Sequence, residues 1–434
     1  MIRPARVTAR AAAPRDATIT VIGGGAIGCA VAFRLAAAGH SDVQVIEKGD
    51  VAAATTGQAA GLVGQVRASP ERTRLAMSSV ALYRRLGQDA GHDPEWREVG
   101  SLRLALNEPR VEEFRHMADV ARSVGLEVKL IDAGRAKELC PPLDASSVRA
   151  ALWCPSDGYL QPYSLTMAYV RAAARLGVSF VTHTTVTGIG VRNDAVTGVQ
   201  TDRGAISTET VINAAGPWAN LVARMVGLEL PIFPVRHEYF ITEEVGWSPD
   251  MPVLRIPDVG LYVRPEIGSV LCGGWEDDAL SLDPRIEPAE WGDVPIEPDW
   301  DVLARFAGDL ASLFPGIDAA GVRAVFRGWP SFTPDGRFLV GPVPGLRGFV
   351  MAAGCNAHGV SGSAGLAQHL IESLEEDPSA YVRSLSPGRF IGGSWDWDDS
   401  RRRAQSVYET YYALSALAQG GAPGRHDQRE PATG

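Results

Sequence analysis

The sequence predicts an α/β fold: a doubly wound, parallel-sheet domain assembled from separated segments, with a sheet-rich α+β domain inserted into it. Three observations predict it. A strand, a glycine turn and a helix open the chain, and a second strand follows. Strand-and-glycine-turn pieces return at 211–220 and 348–374. Runs of short strands fill the spaces between. Alternating strands and helices favour a parallel sheet, whereas consecutive strands favour antiparallel pairing.

Taken in order, residues 18–22 are an apolar, β-branched run, which reads as a strand. "GGGAIG" then turns the chain into an Ala-rich helix that stops at Gly39, and "DVQVIEKGD" is a strand ending in Glu47. A polar helical stretch covers 69–87. "GSLRLAL" and "VKLID" are strands of another sheet, with a helix over 108–125 between them. A turn and helix follow at 157–178, then three strand-like pieces between 179 and 216. Residues 233–275 are strand-rich, 283–300 are a Pro- and acid-rich loop, and 301–314 are a helix. The expected division is 17–90, 150–228 and 322–380 for the nucleotide-binding domain, and 91–149 and 229–321 for the inserted domain. Residues 381–434 are a tail, disordered from about 421, and the first 16 are a flexible leader.

A chain of 434 residues, 45% hydrophobic and 21% charged, has a soluble globular composition. No apolar run is long enough to span a membrane. A net charge of -10 argues against nucleic acid as a partner. The five cysteines form no Cys-x-x-Cys pair, which fits reduced thiols in a cytoplasmic enzyme and argues against a metal site. Lys48, Lys129 and Lys137 are the only lysines, so no lysine in the last two thirds of the chain is available for chemistry.

Gly23, Gly25 and Gly28 make a Gly-x-Gly-x-x-Gly turn between a strand and a helix. The first glycine opens the turn, the second lets backbone approach a pyrophosphate, and the third packs helix on strand. Glu47 ends the next strand at the spacing of an acid that accepts ribose hydroxyls. This motif suits either NAD or FAD. The bare stretch "TTGQAAGLVGQVR" and the open turn of "VINAAGPWAN" favour FAD, because uncluttered backbone approaches the cofactor twice more.

These residues, with "DGYLQP", "RHEYFITE", "LYVRPE", "GWPSFTPDGRFLVGPVPG" and "AAGCNAHGVSGSAG", resemble the FAD-dependent amine oxidoreductases of the D-amino-acid oxidase type. Within them the chain is most similar to the flavin half of the dimethylglycine and sarcosine dehydrogenases. The resemblance spans about 18–376 and implies a Rossmann-like FAD domain with a substrate domain above it. It implies FAD contacts from Gly23, Gly25, Ala26, Ile27, Gly28, Glu47 and Lys48, and from Thr55, Thr56, Gln58, Ala59, Ala60, Gly61 and Leu62. Ala214, Ala215, Gly216 and Trp218 should approach next, followed by Gly354, Asn356, Ala357, His358, Gly359 and Val360. The turn before the last long helix should aim a helix N-terminus at the flavin. In relatives a His at the position of Gln58, or a Cys at that of Gly328, carries the flavin covalently; this chain has neither, so FAD is expected to be non-covalent.

On the substrate side the period of two puts His237 and Tyr239 on one face of a strand, and Tyr262 and Arg264 on one face of another. The resemblance makes His237 a candidate to accept the amine proton, Tyr262 and Tyr239 candidates to orient substrate, Arg264 a candidate carboxylate anchor, and His358 a helper at the flavin turn. The plainer alternative is a polar outer sheet face. The relatives' usual carboxylate clamp is replaced here by Pro330, Ala357 and Ser361, leaving Arg67, Arg236, Arg264 or Arg327 to rebuild it. The implied reaction is oxidation of a C–N bond, with oxygen or an electron-carrier protein as acceptor. The alternatives are a 2-hydroxy-acid dehydrogenase and the flavin subunit of a hetero-oligomer. Trp395, Trp397, Tyr408, Tyr411 and Tyr412 either pack the tail on the body or dock a partner subunit.

Overall fold

The computed structural model describes residues 13–285 and 297–414. Most of the leader, much of the 283–300 loop and the disordered end expected from 421 lie outside the described residues.

Buried β-branched strands build a six-stranded sheet. Its order is Leu339–Pro342, Phe349–Ala353, Thr210–Asn213, Ile19–Ile22, Val43–Ile46, Ser179–Val181. All neighbours are parallel except the first pair. One face is covered by the helices Ala26–Ala37, Pro70–Ala90, Pro162–Arg175 and Ser363–Ser373, around a core that includes Val21, Val45, Tyr83, Tyr169 and Leu366. The other face is not wound by long helices. A three-stranded antiparallel sheet, Val186–Arg192, Ala195–Thr201 and Gly204–Ser207, and the short helix Ala219–Arg224 bury Val199, Ile206 and Val222 there. The double winding expected from sequence is thus helical on one side only, because those three strands alternate apolar and polar residues and offer a single apolar face.

The second sheet has eight strands: Val322–Gly328, His237–Thr242, Ser269–Gly274, Leu261–Glu266, Val253–Ile256, Ser101–Ala105, Ala150–Cys154, Lys129–Ile131. Two expected boundaries shift. Ala150–Cys154 and Val322–Gly328, assigned from sequence to the nucleotide-binding domain, pair instead in this sheet. The motif that resumes the first domain begins only after each strand ends, and strand composition does not announce which sheet will take it.

Register across this sheet fixes one row of side chains. Arg103 is opposite Arg255, Arg255 opposite Tyr262, Tyr262 opposite Gly273, Gly273 opposite Tyr239, and Tyr239 opposite Phe326. The glycine is needed there: a Cβ on Gly273 would lie 2.3 Å from the Tyr262 hydroxyl. Its absence lets the tyrosine lie flat across the row.

The tail packs on the body. Helix Trp397–Glu409, capped by the Asp396 side chain, buries Trp397, Ala404 and Tyr408 against Phe233, Trp275 and Phe332. Arg401 and Gln405 bond Ser281. No described helix is long and apolar enough to cross a membrane.

Candidate active site

Between the two sheets lies a cavity of about 1080 Å³. Ligand pockets run to about 1,000 Å³, so the space suits a large ligand. At one end the strand Ile19–Ile22 runs into the glycine turn. Gly23 has φ +113°, and a Cβ on Gly28 would lie 2.0 Å from the Gly23 carbonyl oxygen. The N-cap residue of helix Ala26–Ala37 gives no side-chain cap, so beyond the Ala26 amide, which Thr56 takes, the first turn is left for an anion. The Glu47 carboxylate accepts from the Gly24 amide (2.7 Å) and the Gly49 amide (2.8 Å). Lys48 sits 4.0 Å over the Trp218 ring.

All the residues expected to hold the cofactor line this cavity except Gly28 and Gly354, which shape its walls from behind. Thr56 accepts from the Ala26 amide and ties the bare loop to the glycine turn. Gln58 lines the cavity against Gly328. Asn356 (φ 44°) and Ala357 (φ 61°) hold left-handed backbone that L-residues rarely adopt. Asn356 stabilises its turn by accepting from the Thr333 amide and donating to the Gly354 carbonyl. The helix that follows starts at Ser363, again without a side-chain cap.

Of the five candidate catalytic residues, His237, Tyr262 and His358 line the cavity; Tyr239 and Arg264 do not. Tyr239 is buried and stacked on Phe326 at 5.0 Å. Arg264 is paired with Glu266 at 2.5 Å, donates to the Ala60 carbonyl at 2.6 Å and lies over Tyr159. It is not positioned to anchor a carboxylate, because its acid neighbour on the same strand already claims it; it fastens the bare loop instead. Arg236 is likewise claimed, by Glu276 and Asp299. Arg327 lines a smaller neighbouring cavity, and Arg67 alone of the four alternative anchors lines the large one.

His237 does not stand as a free base. Its Nδ1 is 3.0 Å from the Tyr408 hydroxyl and its Nε2 2.7 Å from that of Tyr262. Burial pushes its pKa down to about 4, so the ring is neutral. The buried Tyr408 hydroxyl has His237 Nδ1 as its partner among the described residues. A buried O–H left without an acceptor is costly, which assigns the tautomer: Tyr408 donates to Nδ1, and Nε2–H donates to the Tyr262 oxygen. The Tyr262 proton is then free to point into the cavity.

His358 is also neutral, its pKa held well below the usual 6.5 by burial and then by Arg67 and Arg72. A carbonyl cannot donate, so His358 Nδ1–H donates to the Asn356 carbonyl at 2.7 Å. Nε2 therefore accepts from the Tyr411 hydroxyl at 3.0 Å. Tyr411 in turn stacks on Trp275 at 3.7 Å.

Sequence reasoning missed Arg103, Arg255, Trp275, Tyr411 and Tyr412 as cavity residues. Arg103 and Arg255 lie on strands from distant segments, and only their register brings them together. The aromatic tail was conspicuous, but its destination was not.

Sarcosine dehydrogenase of Mus musculus, named as mitochondrial, is 29% identical over 96% of this chain and 46% of its own length. 4-Methylaminobutanoate oxidase (formaldehyde-forming) of Paenarthrobacter nicotinovorans is 32% identical over 92% of this chain and 49% of its own. The chain spans about half the length of these curated relatives. Among solved structures, L-proline dehydrogenase from P. horikoshii superposes with a TM-score of 0.80 at 26% identity, covering 88% of this chain and all of that one. The family model described as "FAD dependent oxidoreductase" matches residues 18–373, a stretch that takes in both sheets, and the chain belongs to that family.

Proposed function

We propose that the chain oxidises a C–N bond of an amine or N-substituted (N-methyl) amino acid, using FAD bound non-covalently. The observation that carries this reading is a cavity joining the nucleotide turn to Tyr262 and to arginines that make no ion pair among the described residues.

The residues present fit FAD. The uncapped helix N-terminus and Gly25 suit a pyrophosphate, Glu47 suits ribose hydroxyls, and the loop Ala59–Leu62 leaves a flat, uncharged wall. Gln58 and Gly328 face each other without a nucleophile between them, which supports a non-covalent flavin. Bound there, FAD supplies the hydride acceptor.

The chain's own residues do the rest. Tyr262, aligned by His237 and Tyr408, presents a hydrogen bond to the substrate. Arg67, Arg103 and Arg255 bind its anionic group. Trp275 and Tyr411 roof the cavity and exclude water. A neutral, low-pKa His237 is poorly suited to take a proton from an ammonium, so the substrate binds as the free amine. The imine product is then hydrolysed. Two relatives are named for N-methylated amino-acid substrates, and one of them for forming formaldehyde, which supports the N-methyl class. Oxygen or a carrier protein accepts the electrons, with a partner subunit as the alternative route. Five buried, unpaired cysteines support a reducing, cytoplasmic setting.

Anaerobic mixing of the FAD-loaded protein with N-methyl amino acids, D-amino acids and hydroxy acids tests the reading through flavin absorbance. Bleaching by an N-methyl amino acid, with amine and aldehyde as products, is expected. Bleaching by hydroxy acids alone, yielding a keto acid, would overturn it.

A further inference from the structure

Three arginines at the sheet end of the cavity make no ion pair among the described residues. Arg67 and Arg103 both donate to the same acceptor, the Val66 carbonyl, at 2.9 Å each. Arg255 is the register partner of Arg103 on the adjacent strand. None of the three makes an ion pair among the described residues. Arg103 Nε and Arg255 Nη1 are buried without a hydrogen-bond partner. Burial, and the charges of Arg103 and Arg255, bring the Arg67 pKa down to about 10.

Like charges directly opposite on neighbouring strands destabilise a sheet, and a buried guanidinium without a partner is costly. The protein has the usual remedy at hand a short distance along the same wall. Arg110 also lines the cavity, and there Glu113 (2.5 Å) and Asp258 (2.9 Å) neutralise it. Arg67, Arg103 and Arg255 receive no such partner. Asp157 is a carboxylate whose field reaches Arg67 and Arg103, and its oxygens are occupied by the Gln65 amide, the Gln65 side chain and Ser101. Among the described residues, three guanidinium charges against the Asp157 carboxylate leave an excess of two. A sarcosine-like substrate with one carboxylate would leave one charge still uncompensated.

We infer that the substrate carries two carboxylates: it is an N-substituted amino dicarboxylate, held by Arg67, Arg103 and Arg255, with Tyr262 beside its reacting amine. This rests on the amine-oxidising reading for the amine but not for the anion site. Arg255 and Tyr262 are register partners, so the anion site and the Tyr262 hydroxyl share one row of the sheet.

The anion site is tested without chemistry by calorimetric titration of the FAD-loaded protein with glutarate and with pentanoate, which has a methyl group in place of one carboxylate. At fixed ionic strength glutarate is expected to bind at least roughly tenfold more tightly. Arg255→Gln should bring that ratio close to one; it faces the cavity, so it is the safer variant, and Arg103→Gln repeats the test from the buried side. Retained flavin reports that each variant is folded. Equal binding of the two acids, or a ratio that survives Arg255→Gln in flavin-loaded protein, would overturn the inference. N-methylglutamate and N-methylnorvaline then compare flavin reduction, with the dicarboxylate expected to half-saturate at a roughly tenfold lower concentration. Preferential glutarate binding with no bleaching by any amine would sink the amine-oxidising reading while leaving the anion site standing.

Discussion

Gln58 lies directly against Gly328: a Cβ on the glycine would stand 3.0 Å from that of the glutamine. These are the two places where the resemblance implies a flavin-bonding residue in other members. Here they meet across the loop, and neither has a nucleophile. Acid precipitation of the holoprotein is expected to release all the yellow colour into the supernatant. Colour retained in the pellet would refute non-covalent binding.

Tyr262 holds the one relay hydroxyl that lines the cavity. Tyr262→Phe should lower kcat by roughly 10²-fold, the scale of losing one well-placed donor. Tyr408→Phe acts at a distance. It leaves His237 Nδ1 without its donor, frees the other tautomer, and should cost about tenfold with the flavin spectrum intact. Stopped-flow reduction of both variants measures this, and an unaffected Tyr408→Phe would mean that the tautomer is set otherwise.

Gly273→Ala tests the row itself. The added methyl group meets the Tyr262 hydroxyl at 2.3 Å and the Tyr239 Cβ at 2.7 Å, so the tyrosine must leave its place. Overpacking of this kind costs about 1–3 kcal/mol. The expected result is a lower melting temperature together with slower flavin reduction; loss of stability with normal reduction would put Tyr262 outside the chemistry.

Arg264→Gln removes one member of a buried pair and the donor to the Ala60 carbonyl. A loss of about 3–5 kcal/mol follows from leaving Glu266 uncompensated. Because the anchored loop lines the cofactor cavity, flavin should dissociate more readily, which fluorescence of released FAD records.

Acid should weaken the fold through its two cavity histidines. His237 has its pKa lowered to about 4 and His358 well below 6.5, both chiefly by burial. Below pH 6.5 the unfolded chain takes up protons that the folded chain refuses. Stability is therefore complete above pH 6.5 and declines as pH falls toward 4, by on the order of 3 kcal/mol for His237. Urea denaturation at pH 7.5 and 4.5 measures the decline, and His237→Gln should flatten it.

The glycine turn, Glu47 and the bare loop were legible because each is a local pattern: a few adjacent residues dictate a turn, a helix start or a close approach. The His237–Tyr262 pairing was half legible. Alternation along a strand placed each side chain on a face but not opposite its partner. Arg264 misled for the same reason, since it shares a face with Tyr262 yet is claimed by Glu266 and the Ala60 carbonyl. Arg103 and Arg255 were illegible, because their meeting depends on pairing strands about 150 residues apart. No window of sequence contains that register.

The helix Trp397–Glu409 and the turn after it supply Tyr408 to His237 and Tyr411 to His358. A ribosome reaches these residues after both sheets and the glycine turn have been made. A nascent chain can thus acquire its nucleotide turn and both sheets while the two histidines still lack their phenols. The cofactor shell is thus synthesised before the phenols that orient the two histidines.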